Sequence, residues 1–515
     1  MDDPESTARA GRAAVWAIWG PALVALLLAL PFATRYGIFR DELYYLACAQ
    51  RLAWGYVDHP PLVAALAAGW TALAGDSLFA LRLLPALATA ATVALAGSLA
   101  RAFGGGRFAV WLAGLATALA PIVLALGSTL SMNAFDLLFW ALAFRLLVAL
   151  LAGADERLWL AFGAVCGVGL LNKVSVLFLG FGLVAGLVAA RRWDIPRTPW
   201  FWAGGGLAAL LFMPHLLWQA AHGWPTLEFI DNARRLKNLD FSPLDFVLEQ
   251  IGQTGPVIAL AWITGLGALL AARRFRPYRA LGWTYLAVLA VMLSTQAKPY
   301  YLAPAYSVLW AAGAVAIEGF TSARRAGAAL RAAALALVVA SGLLLAPLAR
   351  PMLSVERYLV YAAALGEAPG TDERHEVGRL PQFFADMQEW RELAVAVGRA
   401  ADRLAPGERE RACVFGQNYG EAGAVERFGA ELSLPPAISA HNSWFLWGPG
   451  SCTGDVLLVL GDQRERLLEL FGEVELGATF DCRDCMPYED DLPIWIARRP
   501  LQPLAPLWPA IKSYI

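Results

Sequence analysis

The 515-residue chain carries 41 Lys and Arg residues against 42 Asp and Glu residues, so its formal net charge is −1 at pH 7. Hydrophobic residues make up 58% of the chain, charged residues make up 16%, and the mean hydropathy is +0.52. This composition is typical of a polytopic membrane protein and excludes a single water-soluble domain. The balanced charge leaves no basic face for a nucleic acid once the loop arginines are assigned to membrane topology.

Apolar runs long enough to cross a bilayer, about 20 residues each, recur as far as about residue 350. They predict about eleven transmembrane helices, near residues 13–33, 78–100, 108–127, 133–152, 157–172, 174–190, 200–220, 246–271, 280–297, 301–319 and 327–349. Residues 61–75 are apolar but short, which favours a helix along the membrane surface. The polar first residues lead directly into a full-length apolar segment without a clear small-residue cleavage site, so we expect the first span to be retained rather than removed as a signal peptide.

Arginine placement predicts the orientation, because cytoplasmic loops are enriched in basic residues. Arginines are concentrated in alternate loops, at Arg9, Arg12, Arg101, Arg107, Arg157, Arg191, Arg192, Arg197, Arg273, Arg274, Arg276, Arg279, Arg324 and Arg325. We predict that these loops are cytoplasmic. With an odd number of spans, the first loop and the C-terminal part then lie on the outer face, which is the periplasmic side of a bacterial inner membrane.

Other basic residues break this rule on the predicted outer face. They are Arg35, Arg40, Arg51, Lys173, Arg234, Arg235, Lys237 and Lys298. An anionic ligand at that face would require such cations. Anchoring to lipid headgroups is an equally good interpretation of any single one of them.

The first predicted loop contains an acidic pair among aromatic residues. The segment reads Arg40-Asp41-Glu42-Leu43-Tyr44-Tyr45, and Asp58-His59-Pro60-Pro61 follows it. Adjacent side chains point in different directions, so one acid is expected to act and the other to support it. A solvated acidic pair beside the membrane is the alternative. His59 is best interpreted as a hydrogen-bonding residue of the turn before the two prolines.

Two later positions carry charge at the same predicted face. Asp136 lies at the start of the fourth span, where an unpaired charge costs about 2.5–3.5 kcal/mol, so it should face the bundle interior or favour the helix N-terminus. Lys298-Pro299-Tyr300-Tyr301 occupies a short connection between spans. The Lys298 ammonium can bind a phosphate near the membrane surface or extend toward the lipid headgroups.

From residue 351 to 515 the composition changes to that of a soluble domain, so we place a boundary near residue 350 and divide the chain into 1–350 and 351–515. Short strands are predicted at 412–415, 455–460, 473–480 and 493–497, with helices at 423–428 and 464–471, which indicates a small α/β domain. Its loop at 439–449 contains His441, Trp444 and Trp447. That composition suits contact with sugar or lipid headgroups, or a domain-to-membrane interface.

The cysteines do not form a metal-binding pattern. One disulfide is expected in the C-terminal domain, either between Cys482 and Cys485 or between Cys452 and one of them. Asp41, Glu42, Asp58, His59 and Asp136 offer oxygen and nitrogen ligands to a divalent cation. Their spacing does not define a metal site, so no cofactor is assigned.

Together the motifs resemble glycosyltransferase family 39, which groups protein O-mannosyltransferases with bacterial transferases that add aminoarabinose or galacturonic acid to lipid A. The resemblance rests on Arg40-Asp41-Glu42-Leu43-Tyr44-Tyr45, Gly55-Tyr56-Val57-Asp58-His59-Pro60-Pro61-Leu62, Asp136 and Lys298-Pro299-Tyr300-Tyr301 with Pro304. It implies the GT-C fold, a cavity facing the extracytoplasmic side and a sugar donor linked to a polyprenyl or dolichyl phosphate.

Position by position, the resemblance implies that Asp41 is the catalytic acid of the first loop, with Glu42 beside it and Asp136 as the second acid. Lys298 falls at the family's basic residue near the donor phosphate, and we add Arg40 and Tyr300 there. Substrate contacts are predicted at Tyr44, Tyr45, Asp58, His59, Arg234, Arg235, His441 and Trp444.

We therefore expect an integral-membrane glycosyltransferase that moves a sugar from a polyprenyl-phosphate donor to an envelope lipid, glycan or protein. Such transfer needs a base for the acceptor proton and a cation for the departing phosphate, and Asp41 and Lys298 are the candidates. The alternatives are a lipid or sugar transporter and a noncatalytic accessory subunit. No internal repeat of the kind common in transporters is evident.

Overall fold

The computed structural model describes residues 4–295 and 297–515, with side chains described from residue 15 onward. The side chains of Arg9 and Arg12, used above for orientation, lie outside those described. The helices are α1 (Pro4–Ala29), α2 (Arg40–Gln50), α3 (Leu62–Ala74), α4 (Leu78–Ala102), α5 (Arg107–Leu119), α6 (Pro121–Leu126), α7 (Met132–Leu151), α8 (Leu158–Asn172), α9 (Val176–Ala189), α10 (Pro199–Ala221), α11 (Pro225–Asn232), α12 (Pro243–Thr254), α13 (Pro256–Ala271), α14 (Arg279–Thr295), α15 (Tyr306–Ser322), α16 (Gly327–Ala349), α17 (Val355–Ala364), α18 (Gln382–Ala385), α19 (Trp390–Ala401), α20 (Pro406–Arg409), α21 (Tyr419–Leu432), α22 (Ser443–Trp447), α23 (Arg464–Leu468) and α24 (Leu504–Leu507).

Each predicted span coincides with a helix or with a consecutive pair. Six described segments are long and apolar enough to cross a membrane: Val15–Phe32, Leu78–Ala102, Met132–Leu151, Pro199–Ala221, Pro299–Ser322 and Gly327–Ala349. A seventh crossing results if α12 and α13, which are bent by 113° at Gly255, form one span. The other predicted spans are shorter helices, and Pro121 divides the segment 108–127 into α5 and α6. Eleven crossings therefore stay a prediction.

The C-terminal part contains a five-stranded sheet, as the strand pattern predicts. The strands are β1 (Ala412–Gly416), β2 (Ala437–Ser439), β3 (Val456–Leu460), β4 (Phe471–Phe480) and β5 (Leu492–Pro500). Their order is β2-β1-β3-β5-β4, in which β1 is parallel to β2 and β3, and β5 is antiparallel to β3 and β4. The mixed pattern arises because β1, β2 and β3 are joined through helical crossovers, whereas β4 and β5 are consecutive strands.

The chain forms two compact units, each built from separated segments. Unit 1 comprises the described residues within Met1–Ala33, Ala74–Leu217 and Asp240–Leu353. Unit 2 comprises Thr34–Leu73, Trp218–Leu239 and Ser354–Ile515. The sheet and the acidic pair of the first loop thus belong to the same unit, while Asp136, Lys298 and Tyr300 belong to unit 1. The predicted interfacial segment forms α3, a 13-residue apolar helix.

Candidate functional site

The acidic pair lies in the first turn of α2, and its two members have different surroundings. Glu42 is fully buried, and its Oε2 accepts a hydrogen bond from the backbone N–H of Phe39 at 2.9 Å. This bond satisfies a donor that the start of a helix would otherwise leave without a partner. Asp41 is only half-buried. The geometry therefore gives Glu42 the supporting position and Asp41 the more accessible one.

Asp41 receives a hydrogen bond from the C-terminal domain. The Tyr419 hydroxyl donates to Asp41 Oδ1 at 2.7 Å. Tyr419 is held in the first turn of α21, because the Asn418 side chain accepts from the N–H groups of Gly420 and Glu421 at 2.8 and 3.0 Å. This is the N-cap arrangement that begins a helix. Residues 417–421, which in sequence look like a simple strand-to-helix turn, thus supply a direct partner of the candidate base.

Helices α2 and α21 approach each other closely because α21 has glycines at the contact. A Cβ atom added to Gly420 would lie 2.5 Å from Cγ of Arg40, and one added to Gly423 would lie 2.9 Å from Cβ of Leu43. Neither distance is sterically acceptable. The glycines therefore allow the close contact that brings Tyr419 to Asp41.

Tyr44 and Asp58 form a second polar contact in unit 2. The Tyr44 hydroxyl donates to Asp58 Oδ1 at 2.7 Å and lies 2.7 Å from Oγ of Ser443. The Tyr44 ring stacks on Tyr419 with ring centroids 4.8 Å apart. Desolvation raises the pKa of Asp58 above its ordinary value. Tyr44 is therefore packed directly beside the residue that holds Asp41.

His59 has the surroundings of a structural residue, as expected for a turn before two prolines. It is fully buried, its Nδ1 donates to the carbonyl of Pro60 at 2.8 Å, and its ring stacks on Tyr56 at 4.6 Å. The buried Tyr45 ring packs against its edge at 5.1 Å. Burial lowers the pKa of His59. The neutral imidazole thus holds the loop together, and substrate contact by His59 or Tyr45 stays a prediction.

The Arg40 guanidinium contacts two other side chains of unit 2. Its guanidinium is buried, lies 3.3 Å from a carboxylate oxygen of Asp386 and donates to the Tyr488 hydroxyl at 2.7 Å. Burial raises the pKa of Asp386 to about 6, although Arg40 opposes that rise. Arg40 therefore compensates a buried acid. This geometry favours a structural role, and contact with a donor phosphate stays a prediction.

His441 also uses both ring nitrogens within the protein. Its Nδ1 accepts from the backbone N–H of Tyr419 at 3.1 Å, and its Nε2 donates to the backbone carbonyl of Ile515 at 2.7 Å. Burial lowers the pKa of His441 to about 3. It is therefore neutral near pH 7 and orients Tyr419 rather than presenting a free ring nitrogen.

The predicted aromatic loop at 439–449 contains the end of β2 and the short helix α22. Trp444 is only 3% exposed, so its ring packs within the protein, whereas contact of the loop with a sugar or with the membrane stays a prediction. The guanidinium of Arg51 lies over both Trp444 and Trp447, at 5.2 and 4.6 Å from the ring centroids, and forms two hydrogen bonds to Glu426. The loop therefore contributes to the interior of unit 2.

The three basic residues after α11 are more exposed than Arg40. Arg234 and Arg235 lie in a π-helical turn after α11, and Arg235 is paired with Asp231. Lys237 Nζ lies 3.5 Å from Glu373 Oε1. Arg234 and Arg235 are thus accessible to an anion, as the predicted substrate contact requires.

Asp136 of unit 1 has side-chain partners that the sequence did not reveal. Asp136 is buried, with Oδ1 accepting from the Ser175 hydroxyl at 2.6 Å and Oδ2 lying 3.9 Å from Lys173 Nζ. Lys173 also donates to Asn133 at 2.7 Å. Because Lys173 is 37 positions from Asp136, no local pattern reveals the pair, although its break with the charge rule marks it as unusual.

Lys173 also meets the predicted phosphate-binding segment. Its ammonium lies 4.6 Å from the ring centroid of Tyr301 and 5.5 Å from that of Tyr300. Lys298 is half-buried and precedes the 3₁₀ segment Pro299–Ala305 that carries both tyrosines. Unit 1 thus brings together Asp136, Lys173 and Tyr300. Within the described residues, no group of three or more His, Cys, Asp and Glu side chains is arranged to hold a metal ion.

The structure contains two disulfides where one was predicted: the Cys482–Cys485 alternative is confirmed, and the alternative that pairs Cys452 with one of those two is wrong. Cys482 pairs with Cys485, but Cys452 pairs with Cys413, with Cα atoms 6.1 Å apart. Cys413 lies in β1 and was interpreted only as a strand residue. The parallel register of β1 and β3 brings it near Cys452, which precedes β3 by a few residues.

Comparison with known proteins gives consistent similarities. A family model described as dolichyl-phosphate-mannose-protein mannosyltransferase matches residues 58–218. Lipid A galacturonosyltransferase RgtD of Rhizobium johnstonii is 26% identical over 270 residues, which are 51% of this chain and 56% of the relative. The chain thus matches only about half the length of that curated relative.

Two crystal structures of ArnT from Cupriavidus metallidurans have a similar fold. The one bound to undecaprenyl phosphate has a TM-score of 0.62 at 15% identity and covers 94% of this chain and 97% of its own. The apo form has a TM-score of 0.62 at 16% identity, with coverages of 95% and 98%. The architecture therefore agrees along nearly the whole length of both chains.

Proposed function

We propose that the chain is a GT-C glycosyltransferase, which its similarity to the mannosyltransferase family model and its ArnT-like fold support. It transfers a sugar from a polyprenyl-phosphate donor to an acceptor at the periplasmic face of a bacterial inner membrane. The similar structure with bound undecaprenyl phosphate supports this donor class. The galacturonosyltransferase relative supports lipid A as the first acceptor to test. Other envelope lipids, glycans and proteins are the remaining acceptors.

The observation that carries the proposal is the asymmetry of the acidic pair. Glu42 accepts from the backbone at the start of α2, whereas Asp41 is half-buried and is held through Oδ1 by Tyr419. Among the described residues, no hydrogen bond engages Asp41 Oδ2. A carboxylate that is fixed through one oxygen and accessible through the other suits a general base.

In the proposed reaction, Asp41 takes the proton from the acceptor hydroxyl or amine. The acceptor atom forms a bond to the anomeric carbon while the bond from that carbon to the phosphate oxygen breaks, and its electron pair leaves with the polyprenyl phosphate. Lys298 and Tyr300 are assigned to the phosphate, where a cation stabilises the developing charge. One displacement of this kind inverts the anomeric centre.

We assign Lys173 a positioning role near the phosphate segment. Asp136 and Asn133 hold its ammonium, and the rings of Tyr300 and Tyr301 lie beside it. A cation held over an aromatic face is attracted to it, which restrains the tyrosines. Asp136 then acts through Lys173 rather than on the acceptor.

The test is transfer from a panel of labelled undecaprenyl-phosphate sugars, including the galacturonic acid and aminoarabinose forms, by the purified protein in lipid vesicles with lipid A as acceptor. Label in lipid A, with inverted configuration at the anomeric carbon, is the expected result. If no donor supports transfer to lipid A or to envelope extracts, while labelled lipid crosses the vesicle membrane only when the protein is present, the protein is a transporter and the proposal fails.

A further inference from the structure

A cavity of about 980 Å³ in unit 1 is lined by arginines from two separate connections. The six are Arg191, Arg192, Arg273, Arg274, Arg276 and Arg279. Ala189, Ala190, Leu270, Pro277 and Trp283 complete the lining. We call it the arginine-lined cavity. Its volume is at the upper end of the range of small-molecule sites, and none of its lining residues is acidic.

Helix packing, rather than attraction between charges, brings these arginines together. Arg191 and Arg192 follow α9. Three more lie in the connection from α13 to α14, at Arg273, Arg274 and Arg276, and Arg279 is the first residue of α14. A Cβ atom at Gly182 of α9 would lie 2.7 Å from Val288 Cγ2 of α14, and one at Gly186 would overlap the carbonyl oxygen of Ala280. The close contact of α9 with α14 therefore brings the basic residues after α9 next to those before and at the start of α14.

The protein itself compensates only part of this charge. Arg192 pairs with Asp194 at 2.7 Å, and Arg274 donates to the backbone carbonyls of Phe103 and Gly104 at 3.0 and 2.6 Å. Within the described residues, the side chains of Arg191, Arg273 and Arg276 make neither a hydrogen bond nor an ion pair. Like charges that converge without a counter-charge repel one another, so an anion is the partner that this cavity lacks.

The positive-inside rule accounts for arginines in these loops but not for their convergence on one cavity. Guanidinium groups bind phosphate oxygens through two parallel hydrogen bonds, and basic pockets between membrane helices suit phospholipid headgroups. The apolar part of the lining, which includes the partly exposed ring of Trp283, suits the glycerol and acyl region next to such a headgroup.

We propose that the arginine-lined cavity binds the phosphate-bearing headgroup of an anionic phospholipid from the adjoining leaflet. The site is separate from the residues assigned to sugar transfer, and the proposal does not depend on that activity. It assigns a role to a charged cluster that the transfer reaction leaves unused.

The test measures binding of diphosphatidylglycerol to the purified full-length protein in neutral detergent by native mass spectrometry, with phosphatidylcholine as the zwitterionic comparison. Arg191→Gln/Arg273→Gln/Arg276→Gln should weaken binding of diphosphatidylglycerol roughly a hundredfold, since each arginine near a phosphate contributes about fivefold. Arg101→Gln/Arg324→Gln/Arg325→Gln removes the same charge from exposed positions outside the cavity and should bind like the wild type.

The single variant Arg276→Gln, at an exposed position, is included in case the triple variant folds poorly, and it should lose about fivefold. Equal binding by the two triple variants overturns the proposal, as does equal binding of phosphatidylcholine. If inorganic pyrophosphate displaces the lipid at equal concentration, the ligand is a soluble polyphosphate and the lipid assignment is wrong.

Discussion

At the scale of single residues, the surroundings of Asp41 and Glu42 separate two carboxylates that are neighbours in sequence. The residues alone leave the roles of the pair open, because adjacent acids differ only in direction, and it is the family resemblance that favours Asp41. The structure gives Glu42 to the helix start and gives Asp41 a tyrosine from a segment 378 positions away. No local pattern encodes that long-range partner, so it was not predicted.

Replacing Tyr419 with Phe should lower kcat for sugar transfer about tenfold to a hundredfold, because a hydrogen bond to a charged group contributes about 1.5–3 kcal/mol. KM for the donor should stay unchanged, since Tyr419 contacts the candidate base. Steady-state kinetics of the two variants Tyr419→Phe and Tyr488→Phe provide the measurement. Tyr488→Phe removes a hydroxyl that contacts Arg40 instead, and it should retain kcat. A rise in KM without a change in kcat would contradict the assignment.

His441 should make the protein sensitive to acid. Its folded-state pKa is about 3, against an ordinary value of about 6.5, so between these values the unfolded chain binds the additional proton. The stability that it contributes is therefore complete above about pH 6.5 and falls as the pH decreases toward 3. From pH 7 to pH 5 the expected loss is about 2 kcal/mol.

His441→Gln keeps one acceptor and one donor but does not titrate. Thermal unfolding in detergent at pH 7 and pH 5 should therefore show a smaller decrease for His441→Gln than for the wild type. The difference between the two proteins isolates His441, because the other titrating groups are common to both. Equal decreases would mean that His441 does not couple protonation to folding.

At the scale of elements, the contact between α2 and α21 decides where Asp41 lies. Gly423→Ala should destabilise the protein by about 1–3 kcal/mol and reduce transfer, because the added methyl group would overlap Leu43. Gly429→Ala, in the same helix, is the matched control: its Cβ would meet only Leu434 Cβ at 3.8 Å. Thermal unfolding and transfer assays measure both. Equal effects of the two substitutions would indicate a loss of helix flexibility rather than a specific clash.

The elements themselves were largely predictable. Long apolar runs and alternating strand patterns depend on local sequence, so the apolar helices and four of the five strands were located, whereas the number of helices that cross the membrane stays a prediction. β2 escaped because Ala437–Ser439 is too short for a periodic signal. The Cys413–Cys452 bond and the pairing of Asp136 with Lys173 also escaped, because both depend on tertiary packing.

At the scale of the whole molecule, the sequence predicted a boundary near residue 350, and the units divide at Leu353 and Ser354. The segments Thr34–Leu73 and Trp218–Leu239 also belong to unit 2, although they are separated from its main part by predicted spans. Composition cannot reveal this, because short loops between apolar runs look alike whether they are free or packed against a domain.

The predicted orientation has a direct test. Alkaline phosphatase, which needs an oxidising compartment to fold, should be active when fused after Ile515 and inactive when inserted in the basic connection at 273–278. Green fluorescent protein at the same positions should give the opposite pattern. Activity of the phosphatase at 273–278 alone would reverse the orientation and move the candidate base to the cytoplasmic side.

The most direct test of the central claim compares Asp41→Asn with Asp455→Asn in the transfer of labelled sugar from the polyprenyl-phosphate donor that the wild type uses. Asp455 is an exposed aspartate of unit 2 outside the proposed site. Asp41→Asn should lower the transfer rate at least about a hundredfold with unchanged binding of undecaprenyl phosphate, since it removes the general base. Asp455→Asn should match the wild type. Transfer by Asp41→Asn at the wild-type rate would contradict the claim that Asp41 takes the acceptor proton.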